Sequence, residues 1–167
     1  MISVQFQDFD FGHEYQQLAG NNSKDGAIVC FVGLVRDYNQ AHSVTRLHLE
    51  HYPGMTHKAL ENIVAEAKAR WSLGRVKVIH RVGDLGISDQ IVFVGVTSRH
   101  REAAFAANQF IMDYLKNFAP FWKKELTVDG PRWVEAQTKD HVALSRWQSP
   151  KTAMNQAKKS SNNEMVT

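Results

Sequence analysis

The chain has 167 residues, 43% hydrophobic and 22% charged, with 20 Lys and Arg against 17 Asp and Glu for a formal charge of +3. This length suits one domain that buries about two thirds of its unfolded surface, and the composition excludes a largely disordered protein. The single cysteine excludes an internal disulfide framework and a multi-thiolate metal centre, and it fits a reducing compartment.

Part of the positive charge comes from Lys151, Lys158 and Lys159 near the C-terminus, so the remainder is nearly balanced and gives no whole-surface case for nucleic acid. The first residues lack the basic and apolar regions of a signal peptide, and no run approaches the ~20 apolar residues of a membrane span. The expected location is cytoplasmic, without membrane contact.

In chain order, residues 2–6 alternate apolar and polar side chains as a strand does, and a short helix is expected near residues 12–18. Residues 26–35 form a near-continuous apolar run rich in Val and Ile, which predicts a strand covered on both faces, with Cys30 as a buried and inert thiol. Residues 44–52 alternate again. Met55, Ala59, Ile63, Ala67 and Trp71 recur at helical spacing, with Leu60 and Val64 widening the stripe. Residues 75–82 and 90–97 are β-rich, and the turn signal Gly83-Asp84-Leu85-Gly86 between them predicts a hairpin or close strand pair. Ala104, Ala107, Ile111, Leu115 and Phe118 mark a second long helix, which Pro120 ends. A hairpin is expected around Asp129-Gly130-Pro131, then a weak helix over residues 139–147 and a disordered tail over residues 149–167. The order is that of an α+β protein, with one domain over residues 1–148.

Cations gather near the second long helix. Ser98-Arg99-His100-Arg101 places basic residues where a helix N-terminus already carries partial positive charge; these either lean into water or hold an anion. Arg36, leaving the apolar strand, is either a solvated side chain or a bidentate anion contact. Lys116 borders the apolar stripe, and Lys123 follows past Pro120. If both share one dry pocket, each lowers the other's pKa and one becomes a base or nucleophilic amine near neutral pH. Alternatively, Lys116 complements the helix dipole and pairs with Asp113. His48, His51, His57 and His80 have no metal-ligand spacing, so no metal is expected.

Longer strings carry a resemblance. Leu49-Glu50-His51-Tyr52-Pro53-Gly54-Met55-Thr56, Val78-Ile79-His80-Arg81-Val82-Gly83, Ile91-Val92-Phe93-Val94-Gly95-Val96, Phe110-Ile111-Met112-Asp113-Tyr114-Leu115-Lys116 and Ala119-Pro120-Phe121-Trp122-Lys123-Lys124-Glu125 resemble the large, catalytic subunit family of molybdopterin synthase over about residues 1–147. The resemblance implies an α/β-hammerhead fold with an additional antiparallel sheet. It implies sulfur transfer from the thiocarboxylated C-terminus of a small ubiquitin-like subunit to cyclic pyranopterin monophosphate, which forms the dithiolene of molybdopterin. It further implies a heterotetramer built on a dimer of large subunits, with no cofactor in this chain.

By the same resemblance Lys116 and Lys123 are the catalytic lysines, and Leu34, Val35, Arg36, His100, Arg101, Lys116, Lys123, Lys124 and Glu125 bind substrate. His100 and Arg101 can come from the neighbouring large subunit. Leu34 and Gln137 depart from the pattern, standing where some members carry a lysine and an arginine. Two rival readings are a non-catalytic module docking a ubiquitin-like protein through Phe121 and Trp122, which would not need both lysines, and a single-stranded nucleic-acid binder.

Overall fold

The apolar runs sort into two sheets. The computed structural model describes residues 1–135 and 138–148, so Gln137 and the tail over residues 149–167 lie outside the described residues. In chain order the elements are β1 (Ile2–Gln5), α1 (Phe11–Ala19), β2 (Ala27–Leu34), β3 (Tyr38–Asn39), β4 (His42–His51), α2 (Met55–Arg70), β5 (Leu73–Arg81), β6 (Gly83–Gly86), β7 (Gln90–Ser98), α3 (Arg101–Phe118), β8 (Phe121–Thr127), β9 (Gly130–Val134) and α4 (Thr138–Gln148). The fold is α+β, and no helix among the described residues is long and apolar enough to cross a membrane.

The first sheet has the order β1-β5-β7-β2, with β1 parallel to β5 and the other pairs antiparallel. One face packs on α2 and α3 through Leu60, Ile63, Ala67, Val78, Val94, Val96, Ala107, Phe110 and Ile111. The other face carries Phe9, Leu18, Ile79 and Phe93 beneath α1. Asp10 caps α1, its carboxylate accepting from the His13 amide at 2.6 Å.

Two expectations need correction here. The apolar run over residues 26–35 is not a doubly covered strand: β2 lies at the sheet edge, with Phe31 40% and Leu34 52% exposed. The strand buried on both faces is the central β7, where residues 92–98 are all buried. Composition reports apolar content but not which strand receives a neighbour on each side. Cys30 is accordingly half-buried, although burial still pushes its thiol pKa up. Both helical stripes also fray at their ends, leaving Met55 and Phe118 exposed at the first and last positions of their helices.

β5 and β7 pair as expected, but residues 83–86 are no simple turn. They form β6, which leaves the first sheet and pairs with β4 in the second. Gly83 makes the departure, with φ +85° and the Phe6 ring only 2.8 Å from where a Cβ would stand. The turn itself falls later, at Ser88 with φ +69°, and Asp89 Oδ2 accepts from the Gly86 amide at 2.7 Å.

The second sheet is antiparallel, ordered β3-β4-β8-β9 with β6 on β4. Val35, Leu47, Leu49 and Leu85 form its small core, and Ile91 joins that core to the main one. The expected hairpin is β8–β9, turning at Gly130 with φ +116°. α4 lies against α3, with Trp147 edge-on to both Trp71 and Phe110.

Candidate active site

Pro120 stops α3 and the chain turns at once into β8, so two cations seven residues apart return to one region. Strand alternation then decides which β8 side chains face inward. Phe121, Lys123 and Glu125 stand opposite His51, Leu49 and Leu47, the last two in the core. Trp122 and Lys124 take the other face, opposite Glu50 and His48, and the Lys124 ammonium lies 5.5 Å from the Trp133 ring centroid. The two lysines thus point to opposite faces of β8, Lys123 on the face of Phe121 and Glu125 with its side chain still exposed, and Lys124 half-buried on the face of Trp122.

Lys123 sits within electrostatic reach of Lys116 on α3, Arg36 after β2, Asp140 on α4 and Glu125 on its own strand. Burial lowers its pKa most, the Lys116 charge lowers it further and Arg36 adds to this, while Asp140 and Glu125 oppose. Lys123 keeps solvent-accessible surface, so a reagent can reach it. Lys116 Nζ lies 4.0 Å from Asp140 Oδ1. Asp113 is not its partner, because that carboxylate accepts from Trp147 Nε1 at 2.8 Å and faces Arg146 at 3.8 Å.

Behind Lys123, His80 is 3% exposed and stacks on Phe121 with ring centroids 3.7 Å apart. Its Nδ1 donates to the Arg81 carbonyl at 2.8 Å, which leaves Nε2 without a proton in the neutral ring. Burial foremost, then the charges of Lys123 and His51, push the His80 pKa down to about 3 against the raising effect of that backbone bond. Between pH 6.5 and about 3 an unfolded His80 therefore binds a proton that the folded one refuses, and stability falls as the pH falls through that window. Urea melts from pH 7 to pH 4 should show a loss on the order of a few kcal/mol, and His80→Gln should flatten the slope.

The other expected site residues divide into three sets. Arg36 is exposed and directed by Val35, whose side chain is buried in the second core. The Val35 amide donates to the Asp89 carbonyl and its own carbonyl accepts from Ser88, both at 2.9 Å, so Val35 holds the loop that carries Arg36. Leu34 is exposed at the end of the edge strand. Glu125 is 6% exposed, and both of its oxygens are taken, Oε1 by Asn39 Nδ2 at 2.6 Å and Oε2 by Arg132 Nη2 at 3.0 Å. It braces β3, β8 and β9 beside the lysines.

His100 and Arg101 stand at the opposite end of α3, fifteen residues of helix from Lys116, or about 22 Å at 1.5 Å per residue. Arg101 is the first helical residue and Glu102 shares its turn, so only part of the expected basic cluster lies inside the helix. His100 lines a cavity of about 770 Å³ together with Asp25, Arg75 and Arg99. One chain therefore brings together Arg36, Lys116 and Lys123, and leaves His100 and Arg101 apart from them. Two neighbours were not anticipated. Asp140 lies in the helix with the weakest sequence signal, and His80 carried no ligand spacing that would single it out.

Cations from a helix, a strand and a strand end cluster here with two carboxylates, an arrangement suited to handling an anion. The sequence signature of the family described as MoaE protein matches residues 4–118. The chain is 60% identical over 146 residues to the molybdopterin synthase catalytic subunit of Escherichia coli (strain K12), an alignment covering 87% of this chain and 97% of that one. Among solved structures, the molybdopterin biosynthesis MoaE protein from Burkholderia ambifaria MC40-6 matches at TM-score 0.77 and 52% identity, covering 89% of this chain and 98% of the other. Molybdopterin synthase from Staphylococcus aureus matches at TM-score 0.73 and 32% identity, covering 79% and 95%. The chain belongs to the MoaE family. Its function is that of a molybdopterin synthase catalytic subunit in molybdopterin biosynthesis.

Proposed function

We propose that this subunit moves sulfur from the C-terminal thiocarboxylate of a small ubiquitin-like subunit onto cyclic pyranopterin monophosphate, and that Lys116 and Lys123 are its catalytic residues. The observation that carries this reading is the convergence of Arg36, Lys116 and Lys123, close enough that the charges of the first two lower the pKa of the third. Arg36 orients the substrate phosphate and offsets charge as the cyclic ester opens. The thiocarboxylate sulfur is the nucleophile and forms the new carbon–sulfur bond. Water then cleaves the bond between sulfur and the acyl carbon, and the small subunit leaves as a carboxylate. Two sulfurs require two such rounds. The lysines hold or move the protons, and the lowered pKa of Lys123 suits it to give one up.

The span between His100–Arg101 and Lys116 supports a site completed by a second large subunit, with small subunits at the ends of a heterotetramer. A fold relative from Helicobacter pylori 26695 is a protein–protein complex of subunits 1 and 2 of molybdopterin-converting factor, in keeping with a small-subunit partner here. On this reading residues 1–148 are one catalytic domain of the α/β-hammerhead type with an added antiparallel sheet, followed by a tail, in a cytoplasmic enzyme. Lys124, Glu125, Leu34 and Val35 then serve by charge or by placement around the two lysines.

The test is reconstitution with cyclic pyranopterin monophosphate and the small subunit as either thiocarboxylate or carboxylate. Dithiolene product with the thiocarboxylate alone is the expected result. A stable complex that yields no product would favour a binding module instead.

A further inference from the structure

We propose that Asp140 is a positioning residue for the lysine pair: α4 delivers its carboxylate to the end of α3, where it pairs with Lys116 and places a negative charge within reach of Lys123. The inference rests on the assignment of the two lysines above. The Asp140 side chain is 19% exposed, and its Oδ1 lies 4.0 Å from Lys116 Nζ. Its backbone is fixed separately, since Asn117 Nδ2 donates to the Asp140 carbonyl and to the Asp113 carbonyl, both at 2.8 Å. Trp147, wedged between Trp71 and Phe110 with its Nε1 on Asp113, anchors the far end of the same helix. α4 is thus clamped to α3 at two points, and Asp140 sits between the clamp and the lysines.

The charged groups around the pair come from six elements or their ends. Lys116 is on α3, Lys123 and Glu125 on β8, Arg36 after β2, and Asp140 on α4, with His80 of β5 and His51 of β4 behind. Three cations therefore meet two carboxylates. Glu125 already shares its oxygens between Asn39 and Arg132. The Asp140 carboxylate has no other ion pair among the described residues, so its charge acts on the lysines. The burial and repulsion that lower the Lys123 pKa are opposed by Asp140, which keeps that amine from losing its proton too early. A carboxylate brought in by a separate helix tunes the pair without occupying the substrate's place.

The direct test is competitive acetylation of the folded full chain with acetic anhydride across pH, read lysine by lysine by peptide mass spectrometry. In the unaltered chain Lys123 should titrate below the ordinary lysine range. Asp140→Asn keeps the shape and the backbone bond to Asn117 while removing the charge that raises the Lys123 pKa, so Lys123 should titrate lower still. Labelling at the exposed Lys24 should be unchanged, and Asp140→Glu should restore the Lys123 profile. In turnover the acid limb of the kcat profile should shift down with Asp140→Asn, with KM little changed. An unmoved Lys123 titration in Asp140→Asn would overturn the proposal, even if activity fell. Shifted titrations in a chain that makes no product would uphold it while sinking the sulfur-transfer reading.

Discussion

Replacing Lys116 with alanine lowers dithiolene formation by about 10²- to 10⁴-fold, the range lost when a positioned proton-transfer group is removed. The structure separates this effect from stability. Lys116 is 47% exposed in the last turn of α3, and its one ion pair spans 4.0 Å. Losing its charge from a helix C-terminus costs about 0.3–1 kcal/mol at low salt, too little to unfold the chain. Single-turnover product formation measured beside a thermal melt makes the comparison. A large drop in rate with a near-unchanged melt is expected. A rate within a few-fold of the unaltered chain would remove Lys116 from the chemistry and leave it as a complement to the helix dipole.

Phe110→Ala should cost the most stability of any single truncation considered, about 3–5 kcal/mol. The ring is fully buried and meets Trp71 edge-on at 5.4 Å, Trp147 edge-on at 5.4 Å and Tyr114 in a 4.2 Å stack. The Arg70 guanidinium carbon lies 4.7 Å from its centroid. Removing it empties the junction of α2, α3 and α4, which cannot close without moving all three helices. A calorimetric melt should fall by roughly 6–20 °C for a chain of this size. Because Trp147 loses a wall, α4 should loosen first, and the Asp140 carboxylate with it. A drop of only a degree or two would mean that the helices repack easily and that the clamp on α4 is weak.

Much of this was legible in the chain, because the signals that carried it are local. The three- and four-residue apolar spacing from Ala104 to Leu115 located α3, and Pro120 located its end, so the return of Lys123 toward Lys116 followed from the chain reversal alone. What failed was non-local. Residues 26–35 are as apolar as any buried strand, yet β2 has one neighbour and β7 has two, and only the pairing order distinguishes them. Gly83 to Gly86 carries turn residues, yet it joins a different sheet because Gly83 can take φ +85° and point the chain at β4. Asp140 escaped notice for a similar reason: its helix owes its position to Trp147 and Asn117 bonding across to α3, contacts without a sequence period. Glu125 shows the converse. The resemblance places it among the substrate-binding residues, and its burial with both oxygens bonded shows that it also braces the strands that carry the lysine.

The separation of the cations along α3 makes the decisive experiment one of mixing. Arg101 and Lys116 are too far apart on one helix to hold one small substrate, so on the proposed reading a complete site would take Lys116 and Lys123 from one copy and His100 and Arg101 from another. Co-expressing a Lys116→Ala chain with an Arg101→Ala chain yields mixed dimers, each with one intact site. Random pairing predicts recovery of about a quarter of the full activity from two chains that are each nearly inactive alone. Activity in the mixture no higher than that of either variant would contradict a shared site.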